Sequence, residues 1–333
     1  MSQKIVAVMG AGGWGTALAR LLAENGHKVS LWARRPELAA QIAETRRNED
    51  YLPGIEIPKG VTVTADAAAA VAKAEICILA MPSHGVRSVL MAAASHVPEK
   101  AILVSAVKGI ENGTLSRMSE VIEQSFIARG APRIAVLSGP SFALEVASGH
   151  PTAVVVASTS HRDAKVVQAA CSNDHFRCYT GGDVRGVEIG GAMKNVIAIA
   201  AGVVDGLRLG HSTKASLITR GLAEIGRLAQ ALGGSERTAA GLSGLGDLVL
   251  TSTGHLSRNR AVGQKLGEGR ELSEAIAMKM VAEGVKTAKS GYELAQKHGV
   301  EMPIVTEVWK VLYQQKAPRD GIRDLMSRAL KEE

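Results

Sequence analysis

Five apolar residues, Ile5 to Met9, run directly into Gly10-Ala11-Gly12-Gly13-Trp14-Gly15, and a stretch rich in alanine and leucine with helical spacing follows. A G-x-G-x-x-G series between a strand and a helix needs its first glycine for a tight turn. Its second lets a ligand approach the backbone, and its third permits close packing of helix on strand. The helix start then presents free N–H groups and the positive end of its dipole to an anion. A pyrophosphate fits such a turn, so the chain is expected to bind a dinucleotide.

The surrounding pattern supports that reading. Short apolar runs alternate with helical stretches through the first half, the signature of βαβ units and a parallel sheet. Strands are predicted at Ile5 to Met9, Val29 to Ala33, Val61 to Thr64, Ile76 to Ala80, Ile102 to Ala106, Ile134 to Leu137, Ala153 to Ala157 and Phe176 to Tyr179. Helices are predicted to begin near Gly15, Pro36, Ala67, Gly85, Leu115, Phe142 and Arg162. After Gly182 the strand pattern stops, and long Ala, Leu, Ile and Val stretches with helical spacing run to the end. The expected fold is therefore α/β: a Rossmann-type, doubly wound, mostly parallel sheet over residues 1–187, followed by an all-helical substrate domain over residues 188–333.

Composition narrows the function classes. The chain has 36 glycines in 333 residues and only 3% aromatic residues, which favours sites close to the backbone over stacking platforms. Its 39 Lys and Arg against 32 Asp and Glu give a net charge of +7. That excess suits nucleic acid or small phosphorylated ligands. The charges are scattered and not interleaved with aromatics, so no nucleic acid partner is expected. Cys77, Cys171 and Cys178 have neither CxxC spacing nor an even count, which argues against zinc and against a disulfide framework, and no pair of histidines has metal-ligand spacing. No metal is expected, and a cytoplasmic location is. The longest apolar run, Val196 to Val204, is far short of the roughly 20 residues that cross a bilayer, and Ile5 to Met9 is no secretory h-region, so no membrane insertion is expected.

The second strand usually decides the cofactor. An NAD-selective fold carries Asp or Glu at its end to hold the ribose 2′-hydroxyl, but this chain has Leu31-Trp32-Ala33-Arg34-Arg35. Two guanidiniums there would clamp a 2′-phosphate, so NADPH is expected to serve at least as well as NADH. The alternative is a pair of solvated arginines ahead of Pro36.

Ligands of open α/β sheets gather beyond the carboxyl ends of the strands. There the chain places Met81-Pro82-Ser83, then Lys108-Gly109, then Gly139-Pro140-Ser141. Lys108 would point an ammonium into the crevice, unless it is a surface lysine, while Gly139 and Ser141 would offer backbone approach and a hydroxyl. In the helical half, Lys194 interrupts an apolar helix, and Gly190, Gly191, Ala198 and Ala201 share its face. Such small neighbours leave room for a ligand; the alternative is a lysine that snorkels or pairs with a core carboxylate. Asp247 ends the turn Gly241-Leu242-Ser243-Gly244-Leu245-Gly246 and reads alone as a natural N-cap. Ser257-Arg258-Asn259-Arg260 supplies the fork donor and amide that a phosphate monoester needs, or else forms a solvated helix turn.

Together these segments carry a resemblance. GAGGWGTALA (10–19), LWARR (31–35), SAVKGIE (105–111), LSGPSFA (137–143), EIGGAMKNVIAIAAG (188–202), GLSGLGDLVLT (241–251), SRNR (257–260) and VAEG (281–284) are similar, in order and spacing, to bacterial NAD(P)-dependent glycerol-3-phosphate dehydrogenases. The likeness covers essentially the whole chain. It implies hydride transfer between NADP(H) or NAD(H) and C2 of sn-glycerol 3-phosphate, with dihydroxyacetone phosphate as the oxidised partner. It also implies a role in phospholipid synthesis and a homodimer.

The resemblance further implies residue roles. Lys194 would exchange the proton at the C2 oxygen, with Lys108 and Asp247 around the substrate. Ser257, Arg258 and Asn259 would hold the substrate phosphate, and Gly139, Ser141 and Ala143 would line the crevice. Gly10, Gly12, Gly13, Trp14, Gly15, Arg34, Arg35, Lys108, Ala143, Arg258, Val281 and Glu283 fall at cofactor-binding places. A lysine of reference pKa about 10.4 needs burial or a neighbouring cation to act as a base near neutrality. The enzymatic alternative is a related two-domain NADP-dependent reductase of a hydroxy acid, 6-phosphogluconate or ketopantoate.

Overall fold

The computed structural model describes residues 2–277, 281–330 and 332. These fall into two compact units, Met1–Lys108 with Ser116–Glu188, and Gly109–Leu115 with Ile189–Glu333. No single cut reproduces this division. The expected boundary at 187/188 lies inside one continuous helix, and Gly109–Leu115 joins the helical unit through Ile110, which packs in its core beside Ile189 and Val196.

In the first unit the strands are β1 (Ile5–Met9), β2 (Lys28–Trp32), β3 (Arg47–Asn48), β4 (Leu52–Glu56), β5 (Val61–Thr64), β6 (Ile76–Leu79), β7 (Ile102–Ser105), β8 (Arg133–Ser138), β9 (Thr152–Ala157) and β10 (Phe176–Gly181). Eight of them form one sheet in the order β10-β9-β8-β7-β6-β1-β2-β5, parallel except for the β8–β9 pair. Chain order reverses at β1, whose neighbours are β2 and β6. That reversal opens the crevice in which doubly wound sheets bind ligands. The helices are α1 (Gly13–Glu24), α2 (Pro36–Thr45), α3 (Ala67–Val71), α4 (Val86–Ala93), α5 (Met118–Ser125), α6 (Ala143–Ala147) and α7 (His161–Cys171).

Alternation along β1 explains its unbroken apolar sequence. Val6 and Val8 face one core with Leu18, Leu22 and Ile78, while Ala7 and Met9 face another with Leu79, Leu90 and Leu103. A parallel sheet covered on both faces demands apolar residues at every position. Local signals set the helix starts: Pro36 opens α2, and Asp66 and Ser160 cap α3 and α7. The β3–β4 hairpin is not among the predicted elements. Two residues make β3, and the Pro53-Gly54 pair in β4 reads as a loop, since neither residue favours a ladder.

From residue 184 onward the described regular elements are helices: α8 (Val184–Gly206), which begins in the first unit, α9 (Gly210–Ala231), α10 (Glu236–Ala239), α11 (Asp247–Thr253), α12 (Arg258–Gly267), α13 (Leu272–Ile276), α14 (Glu283–Lys297), α15 (Pro303–Tyr313) and α16 (Pro318–Met326). α8 is long and apolar enough to span a membrane by length and composition alone, which the nine-residue run read from the sequence understates, but its apolar window is wholly buried inside the protein. Apolarity on every side is what a central core helix requires. Gly202 and Gly263 let α8 and α12 touch backbone to backbone, because a Cβ at Gly202 would collide with Arg260 O and one at Gly263 with Ile199 O.

Candidate active site

The glycine turn follows β1 at the reversal point. Gly10 has φ +121°, and a Cβ there would lie 2.5 Å from Ala80 O, so both conformation and space demand glycine. A Cβ at Gly15 would run into Gly10 O, which fixes the tight seat of α1 on the turn. Gly12 differs, because a Cβ there would meet no protein atom within 4 Å. The backbone face at Gly12 is open, and α1 has neither a side-chain cap nor an acidic residue in its first turn. Donors and dipole are thus left for an external anion, and the residues present fit a dinucleotide pyrophosphate. At Gly13, by contrast, the space a Cβ would fill is taken by Tyr51 O at 2.7 Å, with Ala143 Cβ at 3.6 Å. Trp14 packs partly buried against Ala17, Leu52 and Ala147, and its indole N–H meets no acceptor among the described residues.

One contributor went unread in the sequence. Asn48, fully buried in β3, donates from Nδ2 to Ala11 O at 2.9 Å and to Thr16 Oγ1 at 2.8 Å, tying the hairpin to the glycine turn. Its signal is weak, a single Asn between charged residues. At the end of β2, Arg34 is exposed and has no ion-pair partner among the described residues. Arg35 is also exposed but donates to Asp50 Oδ2 at 3.0 Å and lies over the Tyr51 ring at 5.8 Å. The hydrogen bond from Arg35 to Asp50 leads the causes that raise the already high guanidinium pKa.

Beyond β7 and β8, Lys108 is half-buried and donates from Nζ to Gly139 O at 2.9 Å, so it is not a solvated surface lysine. The same carbonyl accepts the Ser141 hydroxyl at 3.0 Å. Gly139 itself has φ +149°, and a Cβ there would strike Val154 Cα at 2.9 Å.

In the second unit the buried Lys194 donates from Nζ to Asp247 Oδ1 at 2.9 Å and to Thr251 Oγ1 at 2.6 Å. Thr251 in turn donates to Asp247 Oδ1 at 3.2 Å, which closes a triangle. Two expectations change here. Asp247 is not a helix cap, because the chain is already wound in a π-helical turn over Leu242–Gly246 and continues into α11. Its carboxylate crosses to α8 instead. Nor does Gly190 leave room for a ligand beside Lys194: a Cβ there would lie 2.8 Å from Ser243 O and 3.2 Å from Gly244 Cα, so the glycine admits the backbone of that turn. Thr251 escaped sequence reading, although Asp247-x-x-x-Thr251 is the i, i+4 spacing that puts two side chains on one helix face.

The SRNR segment opens α12. Ser257 caps the helix, its hydroxyl accepting Arg260 N–H at 3.2 Å. Asn259 is buried between neighbours, donating to Asn195 Oδ1 at 2.8 Å and accepting Gly284 N–H at 2.9 Å, so it ties α8 to the start of α14. Arg258 donates from Nη1 to Val281 O at 2.9 Å. Glu283 is the first residue of α14. Among the described residues no cluster of three or more His, Cys, Asp or Glu is placed to hold a metal.

Residues 5–164 match the family model for the N-terminus of NAD-dependent glycerol-3-phosphate dehydrogenase, and residues 183–323 match the model for its C-terminus. The chain belongs to the NAD-dependent glycerol-3-phosphate dehydrogenase family. An NAD(P)+ glycerol-3-phosphate dehydrogenase of a Geobacter species is 51% identical, the alignment covering 100% of this chain and 99% of that one. Another from Koribacter versatilis is 53% identical, with 97% of each covered. The crystal structure of the glycerol-3-phosphate dehydrogenase of Coxiella burnetii superposes with a TM-score of 0.94 at 37% identity, covering 98% of this chain and 99% of that one. The Rossmann-type sheet and helical second unit are those of this family, and the family is NAD(P)-dependent.

Proposed function

We propose that the chain reduces dihydroxyacetone phosphate to sn-glycerol 3-phosphate, reversibly, with NAD(P)H, and so supplies glycerol phosphate for phospholipid synthesis. The observation that carries the reading is Lys194, a buried ammonium held by a carboxylate and a hydroxyl in a chain that matches the family over both parts. Whole-length identity favours this substrate over the hydroxy acid, 6-phosphogluconate and ketopantoate alternatives.

The residues take these roles in the proposal. The turn at Gly10, Gly12 and Gly15 and the start of α1 seat the pyrophosphate, and the nicotinamide, when bound, supplies or receives the hydride. Lys194 exchanges the proton at the C2 oxygen, and its charge polarises the carbonyl in reduction. Asp247 and Thr251 hold that ammonium in place. Lys108, Gly139 and Ser141 contact substrate or cofactor, and the Arg258 guanidinium takes the substrate phosphate. Ser257 and Asn259 position Arg258 through the cap and bridge they make. Ala143, Val281 and Glu283 belong to the cofactor side. Arg34 and Arg35 make NADPH at least as good a cofactor as NADH. We further propose a homodimer, and a cytoplasmic location in keeping with three unpaired, buried cysteines.

The test is oxidation of NADPH, and separately of NADH, with dihydroxyacetone phosphate, with unphosphorylated dihydroxyacetone, and with the Lys194→Ala variant. Turnover that requires the phosphate and collapses in the variant supports the assignment. Tight NADPH binding without turnover on this substrate overturns it.

A further inference from the structure

A carboxylate is missing from the end of β2, where an NAD-selective sheet would carry one, yet the structure brings one to the arginines there from a different segment. Asp50 Oδ2 lies 3.0 Å from Arg35 Nη2. The carboxylate is held there by more than a surface ion pair. Asn48, two residues earlier, is clamped to Ala11 O and Thr16 Oγ1, and the carbonyl of Tyr51, one residue later, lies against Gly13. The hairpin that delivers Asp50 is thus fastened on both sides of it to the glycine turn.

We propose that Asp50 is a specificity-determining residue that sets the choice between NADPH and NADH. The proposal rests on Arg34 and Arg35 receiving the 2′-phosphate. A 2′-phosphate carries close to two negative charges near neutrality. Contact with Arg35 requires it to displace the Asp50 oxygen or to share the guanidinium with it, and sharing places like charges within a few ångströms. The 2′-hydroxyl of NADH brings no charge and meets no such cost. Asp50 therefore weakens NADPH selectively, Arg34 keeps part of the attraction, and the balance leaves a chain that takes both cofactors.

The experiment is equilibrium binding of NADPH and NADH, followed by tryptophan fluorescence and by calorimetry, in the unaltered protein, D50N, D50E, R35Q and the D50N/R35Q double variant. Both positions are exposed or half-buried, and thermal melting checks that each variant is folded. D50N is expected to tighten NADPH about five- to tenfold at low salt, with the gain shrinking as salt screens the charges. NADH should change less than about twofold, since it has no charge at that position. D50E should restore the original ratio, and R35Q in the D50N background should remove the gain. If the unaltered protein binds NADPH and D50N leaves its affinity unchanged, the role of Asp50 fails while the arginine reading stands. If neither protein binds NADPH, both fail. An equal change for the two cofactors also overturns the proposal, because it reports a general charge effect instead of selection.

Discussion

Lys194 Nζ and Asp247 Oδ1 lie 2.9 Å apart although 53 positions separate them, and both are almost wholly buried. Removing one partner of a buried pair leaves the other charge uncompensated, at a cost of about 3 to 5 kcal/mol. Lys194→Ala and Asp247→Ala should each lower stability by that order in denaturant titrations, and the double variant should lose less than the sum. Turnover of Lys194→Ala should fall by about 10² to 10⁴, the usual worth of a positioned acid–base group. A variant with full turnover would remove Lys194 from the chemistry.

Gly10 and Gly12 should respond in opposite ways to the same substitution. Gly10→Ala forces a left-handed conformation on alanine and places its Cβ against Ala80 O, so the fold should suffer. Gly12→Ala meets no protein atom and keeps an ordinary φ of −78°, so its stability should drop by about 1 kcal/mol at most, since alanine caps a helix less well than glycine. Its dinucleotide affinity should nevertheless fall sharply. Melting curves set beside NADH titrations of both variants make the comparison, and unchanged binding in Gly12→Ala would contradict the proposed seat of the pyrophosphate.

Gly190→Ala probes the helix contact behind the lysine. Its methyl would press on Ser243 O and Gly244 Cα, which are backbone and cannot rotate away. Overpacking of this kind costs about 1 to 3 kcal/mol. Because the displaced turn leads directly into Asp247, turnover should drop along with stability. A variant as stable as the parent would mean that the turn yields freely.

Glu224 gives the fold a pH dependence away from the proposed chemistry. It is buried, its carboxylate accepts the N–H groups of Ile304 at 2.7 Å and Val305 at 3.2 Å, and burial pushes its pKa up to about 7 from the usual 4.5. Between those values the folded state holds a proton that the unfolded state has released. This contribution is thus fully present below about pH 4.5 and is lost as pH rises through about 7, for a total of roughly 3 kcal/mol at most. Denaturant midpoints followed from pH 5 to 8 should show this downward slope. A Glu224→Gln variant should lack it, and an identical slope in the variant would place the proton elsewhere.

Much of the architecture is written in local chemistry that any reader of the chain can follow. Apolar strands such as Ile5–Met9 need two covered faces, and the glycine turn leaves only a few conformations open, so the α/β half and its dinucleotide crevice follow from short-range rules. Lys194 stands out because a charge inside an apolar helix must find a partner. Which partner it finds is a long-range fact. Asp247 looks locally like a helix cap, and only the packing of the Leu242–Gly246 turn against Gly190 turns its carboxylate toward α8. The same holds for Asn48 and Asp50, which sit in a segment too short and too rich in Pro and Gly to read as a hairpin, yet meet the glycine turn and Arg35 once the chain closes on itself. Periodicity and turn chemistry are carried by neighbours in sequence. The identity of a buried charge's partner depends on which distant segments pack together, and tertiary structure alone decides that.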